Sequence, residues 1–338
     1  MVLECLIAIT ILISFFIAII ILPIWIKKCK QIGLLWEDMN KYGHPKSVAS
    51  SGGLVVVMSF VLGVLFYIAI RTFIINDKEI NLKIFSLLSV VLILAIVGLT
   101  DDLLGWKRGG LSPQFRLVMA LFASIPLIVI NAGDSMINLP ILGNINMGLF
   151  YPLVFIPLGI VGASTTFNFL AGFNGIEAGM GIITLTFLSF VSYTTGSRWL
   201  ALIGLIMVGA LIAFYYFNKF PAKVFPGDIL TYSVGALIAC MAILGNFEKI
   251  AVFVFIPFIL EVILKSRGRL KKQSFGIPQK DGSLKMPYEK IYGLTHLSIF
   301  ILSKFKRKVR ETDVVYLIFA IQIFICLIAL FIFRKSLF

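Results

Sequence analysis

The chain has 338 residues, 59% of them hydrophobic, and carries 30 basic against 16 acidic residues for a net charge of +14. Apolar runs extend from end to end, which excludes a water-soluble globule, and they are too long and too little alternating for barrel strands. What remains is an all-α polytopic membrane protein, whose positive charge reports topology and contact with an anionic leaflet rather than nucleic acid.

Hydropathy predicts about ten spans, near 3–26, 53–72, 84–100, 114–131, 149–166, 176–195, 199–217, 229–246, 250–265 and 314–333. The first, from Val2, has Glu4 in place of a basic leader and no small-residue cleavage site, so it reads as a retained helix rather than a signal peptide. Cys5, Cys29, Cys240 and Cys326 form no CxxC pattern, which indicates neither a disulfide framework nor a zinc site. Alternate loops are unequal in charge: 23 of the 30 basic residues fall in the odd-numbered loops and their flanks. That asymmetry places those loops in the cytosol and both termini outside.

Polar residues for which topology gives no reason gather on the same side. The first long loop contains Asp38-Met39-Asn40-Lys41 and ends in Gly52-Gly53, which suit either a close backbone approach or a hinge. The third span runs into Asp101-Asp102. Adjacent helical side chains point about 100° apart, so the two acids face different walls. They can be a solvated pair at a helix end, but acids are disfavoured at a helix C-terminus, which favours a cation or a basic partner among Lys107, Arg108 and Arg116, with Ser112-Pro113 opening the next helix.

Between the fifth and sixth spans, STTFNFLAGFNGIEAGMG sets Asn168, Asn174 and Glu177 among glycines at the membrane boundary. Broken backbone at that depth belongs where it lines a wet cavity or is buried in protein. The stretch NKFPAKVFPGDILTYSVG places Asp228 at the mouth of an apolar helix, where it either caps that helix or faces a polar hollow or cation. The last loop, roughly residues 265–313, is basic. Arg267, Arg269, Lys271 and Lys272 are spaced as in an extended segment and KDGSLK reads as a short hairpin; the cluster suits an anionic-lipid patch or, with Gln273, Tyr288 and His296 interleaved, a folded ligand wall. A transmembrane domain over 1–338 with a cytosolic substrate-binding insertion at 266–312 is therefore expected.

Carboxylates and amides on one leaflet suit Mg²⁺, and the adjacent Lys and Arg suit a diphosphate. Metal-assisted phosphoryl transfer is the chemistry favoured. A transporter with glycine-broken spans is the competing class, but no two-fold internal repeat is apparent and the polar groups avoid the midplane.

The set DMNK (38–41), Gly52-Gly53, Asp101-Asp102, NFLAGFNGIEAG (168–179), PAKVFPGD (221–228) and LTH (294–296) resembles, in order and over nearly the whole chain, the polyprenyl-phosphate N-acetylhexosamine-1-phosphate transferase superfamily. Within it the wording is most similar to archaeal and eukaryotic dolichyl-phosphate GlcNAc-1-phosphotransferases. The resemblance implies ten helices, a cytosolic cleft, UDP-GlcNAc and a dolichyl or polyprenyl phosphate as substrates, and Mg²⁺ with Mn²⁺ as a substitute. It implies further that Asn168 and Asp228 hold the metal. Phe225 would stack on uracil, with Asn174 and the backbone of Met39 reading its edge; Asp101 would position or deprotonate the acceptor, supported by Asp102. Arg116 falls where bacterial relatives carry a lysine. Glu177, Lys223, Arg267, Arg269, Lys271, Lys272, Gln273 and His296 are the remaining expected substrate contacts. A homodimer in an archaeal cell membrane, or an endoplasmic reticulum membrane in a eukaryote, completes the expectation. The chain departs from the pattern in four respects: Thr165 replaces an asparagine, Gly105 a third acid, Ala49-Ser50 a Pro-Arg pair, and the dense histidine motif of bacterial relatives is absent, with only His44 and His296 present.

Overall fold

The computed structural model describes residues 2–139 and 143–337. It opens with α1 (Val2–Ile32), a two-stranded sheet of β1 (Leu35–Glu37) and β2 (Lys46–Ala49), and α2 (Gly53–Ala69), which runs on as a π-helical turn over Ile70–Ile75. Next come α3 (Asn81–Arg108), α4 (Pro113–Ala123), α5 (Ile125–Val129) and a hairpin of β3 (Met136–Leu139) and β4 (Gly143–Asn146). A π-helical turn, Tyr151–Phe155, leads into α6 (Ile156–Phe169), followed by α7 (Ile176–Thr194), α8 (Arg198–Asn218) and α9 (Asp228–Leu244). The remainder comprises α10 (Glu248–Val254), α11 (Ile256–Arg267), β5 (Ile277–Pro278), β6 (Leu284–Lys285), α12 (Leu294–Ser303), α13 (Glu311–Ile332) and α14 (Arg334–Leu337).

Seven of the expected spans are continuous apolar helices of crossing length among the described residues. The protein is an all-α polytopic membrane protein. The other three expected spans depart from that form. The one near 114–131 breaks at Ser124, just ahead of Pro126, and the one near 250–265 breaks at Phe255, just ahead of Pro257. A proline has no N–H to give to the preceding turn and its ring crowds that turn's carbonyl, so each segment becomes two shorter helices. The third, α9, has only 17 residues, but every side chain from Ile229 to Leu244 is buried. It packs against α3 and α6 and is enclosed by protein instead of lipid.

Two boundaries move in ways that matter. The third helix does not stop at residue 100; it continues to Arg108, so Asp101 and Asp102 sit inside it, two turns before its end. The late basic loop holds the hairpin expected around KDGSLK, with Pro278 opposite Leu284, and also the ten-residue helix α12, whose apolar Leu294 and Ile299 are buried.

The ends of α1, α3, α6, α8 and α11 and the starts of α2, α4, α7, α9 and α13 meet at one face. Backbone pairing ties two of these junctions together. Ala49 bridges Val224 in parallel, Phe225 N–H donates to Ala49 O at 2.7 Å, and Gly52 and Gly53 donate to Phe225 O and Pro226 O, each at 2.9 Å. The glycines of the first loop thus mark a close backbone approach, not a hinge: a Cβ on Gly53 would lie 2.7 Å from Pro226 O and from the backbone of Leu230.

Candidate active site

The site is organised by the N-terminus of α9. A helix start leaves backbone N–H groups without intrahelical partners. Here Gly227 adopts φ +72°, a conformation that favours glycine, and turns the chain so that these groups face α3. The carboxylate of Asp102 meets them. Its Oδ1 accepts from Asp228 N at 2.7 Å and its Oδ2 from Ile229 N at 3.4 Å. The capping acid is therefore supplied from 126 residues away. Asp228, which could have capped its own helix, makes no capping bond and is left free for other work. Close packing of the two helices requires Gly98, where a Cβ would lie 2.6 Å from the backbone of Asp228 and Ile229.

Freed from capping, Asp228 projects among polar groups from three other helices. Asn168, in the last turn of α6, donates from Nδ2 to Asp228 Oδ1 at 2.8 Å and to Thr231 Oγ1 at 2.8 Å. Arg116 on α4 places one nitrogen, Nη1, 2.8 Å from Asp101 Oδ2 and 3.3 Å from Asp228 Oδ2. The other oxygen of Asp101 accepts the Leu111 backbone N–H at 2.5 Å. Ser112 caps α4 through Phe115 N, which orients the turn that carries Arg116. The two adjacent acids of α3 thus have separate tasks: Asp102 holds α9, and Asp101 faces Arg116 and Asp228.

Asp101, Asp102, Arg116, Asp228 and Thr231 line a hollow of about 400 Å³. Of the residues singled out from the sequence, Met39, Asp101, Asp102, Arg116, Glu177, Phe225 and Asp228 line it. Glu177 is buried and accepts Gly172 N at Oε1, 3.0 Å away, which shapes the broken backbone between α6 and α7. Asn168 reaches the site through Asp228. Its Nδ2 is committed, so the oxygen of its amide is the atom available to a cation. Two carboxylates and an amide oxygen are hard donors of the kind Mg²⁺ takes.

Other expected contacts lie elsewhere. Asn174 is buried, and does not line the hollow: its Nδ2 donates to Asp38 Oδ2 at 3.2 Å and its backbone N–H to Glu311 Oε1 at 2.7 Å. Lys223, Arg267, Arg269, Lys271, Lys272 and Gln273 are exposed and outside the hollow's lining. Lys272 is folded back over the ring of Tyr288, 4.7 Å from its centroid. His296 is fully buried, edge-on to Tyr288 at 5.4 Å, so it supports the loop from beneath. The late loop reaches the hollow through Phe275 instead. The side chains of Lys107 and Arg108 lie outside the described residues.

Three residues central to the site's floor were not singled out from the sequence as site residues. Asp38, Asn40 and Glu311 are buried, and join the first loop to the start of α13 and the backbone after α6. Asn40 donates to Gly172 O at 2.8 Å and accepts Gly276 N at 3.2 Å. A charged residue kept at 3% exposure is the signal that would have found Glu311, and it exists only in three dimensions.

With this geometry in view, comparison with known proteins defines the class. A family model described as glycosyl transferase family 4 matches residues 84–246, which contain Asp101, Asp102, Arg116, Asn168 and Asp228. A Saccharolobus solfataricus protein with the provisional name UDP-N-acetylglucosamine-dolichyl-phosphate N-acetylglucosaminephosphotransferase is 36% identical over 94% of each chain. The Dictyostelium discoideum protein of that name is 26% identical, over 77% of this chain and 69% of its own. A phospho-N-acetylmuramoyl-pentapeptide-transferase of Streptococcus agalactiae is 30% identical, over 74% of this chain and 76% of its own. The chain belongs to glycosyl transferase family 4.

Proposed function

We propose that the protein transfers GlcNAc-1-phosphate from UDP-GlcNAc to a dolichyl-type polyprenyl phosphate, releasing UMP and beginning a lipid-linked oligosaccharide for N-glycosylation. The observation that carries this reading is the convergence of Asp101, Arg116 and Asp228 on one hollow, with Asn168 bonded to Asp228 from a fourth helix. The names of the Saccharolobus and Dictyostelium relatives support the choice of donor and acceptor.

The reaction forms a bond between an acceptor phosphate oxygen and the β-phosphorus of the donor, and breaks the bridge to the α-phosphate. Little covalent work is required of the protein beyond positioning and charge neutralisation. Asp101 stands at the hollow's wall, where it orients the acceptor phosphate or takes its proton. Arg116, lining the same space, offers its guanidinium to the diphosphate. Asp228 and the amide oxygen of Asn168 would hold Mg²⁺ or Mn²⁺, which supplies neutralisation of the diphosphate charge when bound. Phe225 offers a ring at the wall for base stacking. The face concerned is cytosolic on the charge asymmetry of the loops, which is compatible with an archaeal cell membrane or the endoplasmic reticulum.

The test is UMP release by the purified full chain with a short dolichyl phosphate and UDP-GlcNAc, with and without Mg²⁺. The reading predicts Mg²⁺-dependent UMP and a dolichyl-diphospho-GlcNAc product by mass spectrometry. Because the Streptococcus relative is named for a muramoyl-pentapeptide donor, a panel of UDP-hexosamines belongs in the same assay. Turnover of another donor in preference to UDP-GlcNAc would overturn the assignment while leaving the reaction class.

A further inference from the structure

We propose that Arg116 guards the cation position. Its guanidinium holds the space between Asp101 and Asp228, and a diphosphate would draw it away, so that a divalent ion loads well only together with the diphosphate. The inference rests on the reading above, in which Asp228 and Asn168 hold the metal.

Two carboxylates that share a hollow are relieved by a proton on one of them or by a positive charge between them, and here a positive charge stands between them. Arginine supplies it permanently, since its guanidinium does not deprotonate. The same nitrogen serves both acids, 2.8 Å from Asp101 Oδ2 and 3.3 Å from Asp228 Oδ2. Asp102 is turned to the amides of α9, and Asp228 Oδ1 is taken by Asn168. A cation arriving beside Asn168 must therefore compete for Asp228 Oδ2, the oxygen that Arg116 holds.

The guard is also built to leave. Arg116 lies in the second turn of a capped helix, lines the hollow, and keeps 26% of its side chain exposed, so its guanidinium can turn toward a ligand without unpacking α4. Its contacts here are single-nitrogen contacts, whereas a phosphate offers its planar fork a paired fit. On binding, the arginine would exchange carboxylate for phosphate oxygens, which would leave Asp228 Oδ2 open to a divalent ion. Metal and diphosphate then favour each other beyond their own chelation, and the empty site resists loading by free metal.

Titration of the purified full chain with Mn²⁺ alone, read by electron paramagnetic resonance without nucleotide, tests this directly. Arg116→Met is expected to tighten Mn²⁺ by about tenfold, and Asp228→Asn in that background to abolish the gain. Arg116→Lys, which keeps the charge but has a compact head that follows one acid, is expected to tighten it less; it serves if the neutral variant does not purify as a monodisperse, helical protein. Unchanged or weaker Mn²⁺ binding in both variants, with binding still lost in Asp228→Asn, would overturn the guard and leave the metal reading standing. Mn²⁺ binding indifferent to Asp228→Asn would remove the metal reading and the guard with it.

Discussion

Asp102 accepts the backbone N–H of Asp228 at 2.7 Å, so one acid of α3 holds in place the helix whose first residue is another acid of the site. Loss of this contact strands two amide donors at a buried helix start. Asp102→Ala is expected to cost about 1–3 kcal/mol in thermal unfolding in detergent. UMP release should fall with it, and Asp102→Asn, which retains an acceptor oxygen, should recover part of the stability. An alanine variant as stable as the parent would show that water replaces the cap.

Asp101 and Asp228 face the hollow, and although Asp101 also accepts the Leu111 N–H, neither holds a helix start as Asp102 does. Asp101→Asn and Asp228→Asn are near-isosteric, and each should lower UMP release by about a thousandfold. Their melting temperatures and elution profiles should stay close to those of the parent. Near-normal turnover in either variant would remove that residue from the chemistry.

Gly98 tests the approach of α3 to α9 without altering a polar group. A methyl there would meet the backbone of Asp228 at 2.6 Å and must push the helices apart. Gly98→Ala should destabilise by about 1–3 kcal/mol. A displacement of this kind at the site should also reduce turnover by about a hundredfold. Full activity in the variant would mean that the spacing of the two helices is not critical.

Glu311 anchors the backbone after α6 by accepting Asn174 N at Oε1, while no partner meets its Oε2 among the described residues. Glu311→Gln keeps the accepting oxygen and should be tolerated, with donor KM changed by less than about threefold. Glu311→Ala strands the Asn174 N–H and should raise the donor KM more than it lowers kcat. Equal effects of the two substitutions would show that the charge matters and the accepted bond does not.

The spans were legible because a run of about twenty apolar residues between charged loops fits little besides a bilayer crossing, and the asymmetry of Lys and Arg grouped the correct helix ends. The meeting of Asp101, Asn168 and Asp228 was legible for a related reason: each stands in apolar surroundings where a polar group needs a purpose. Asp102 was harder, because its partner is an amide of α9, and nothing local distinguishes an acid that caps a distant helix from one that touches substrate. The buried triad of Asp38, Asn40 and Glu311 escaped because each residue looks solvated in its own stretch of sequence. The late loop erred in the opposite direction. Its basic residues suggested a clamp on substrate, yet the structure gives the hollow Phe275 from that loop and directs Lys272 onto Tyr288.

The lacing of residues 223–226 onto Ala49, Gly52 and Gly53 also imposes an order on biogenesis. The first loop emerges from the ribosome early, but the segment that completes its hydrogen bonds follows only after α8 has been synthesised. A nascent chain halted there has most of its bundle and no assembled centre. Its first loop must wait at the bilayer surface with these amides answered by water, and the cluster of Asp101, Arg116, Asn168 and Asp228 can close only when α9 enters.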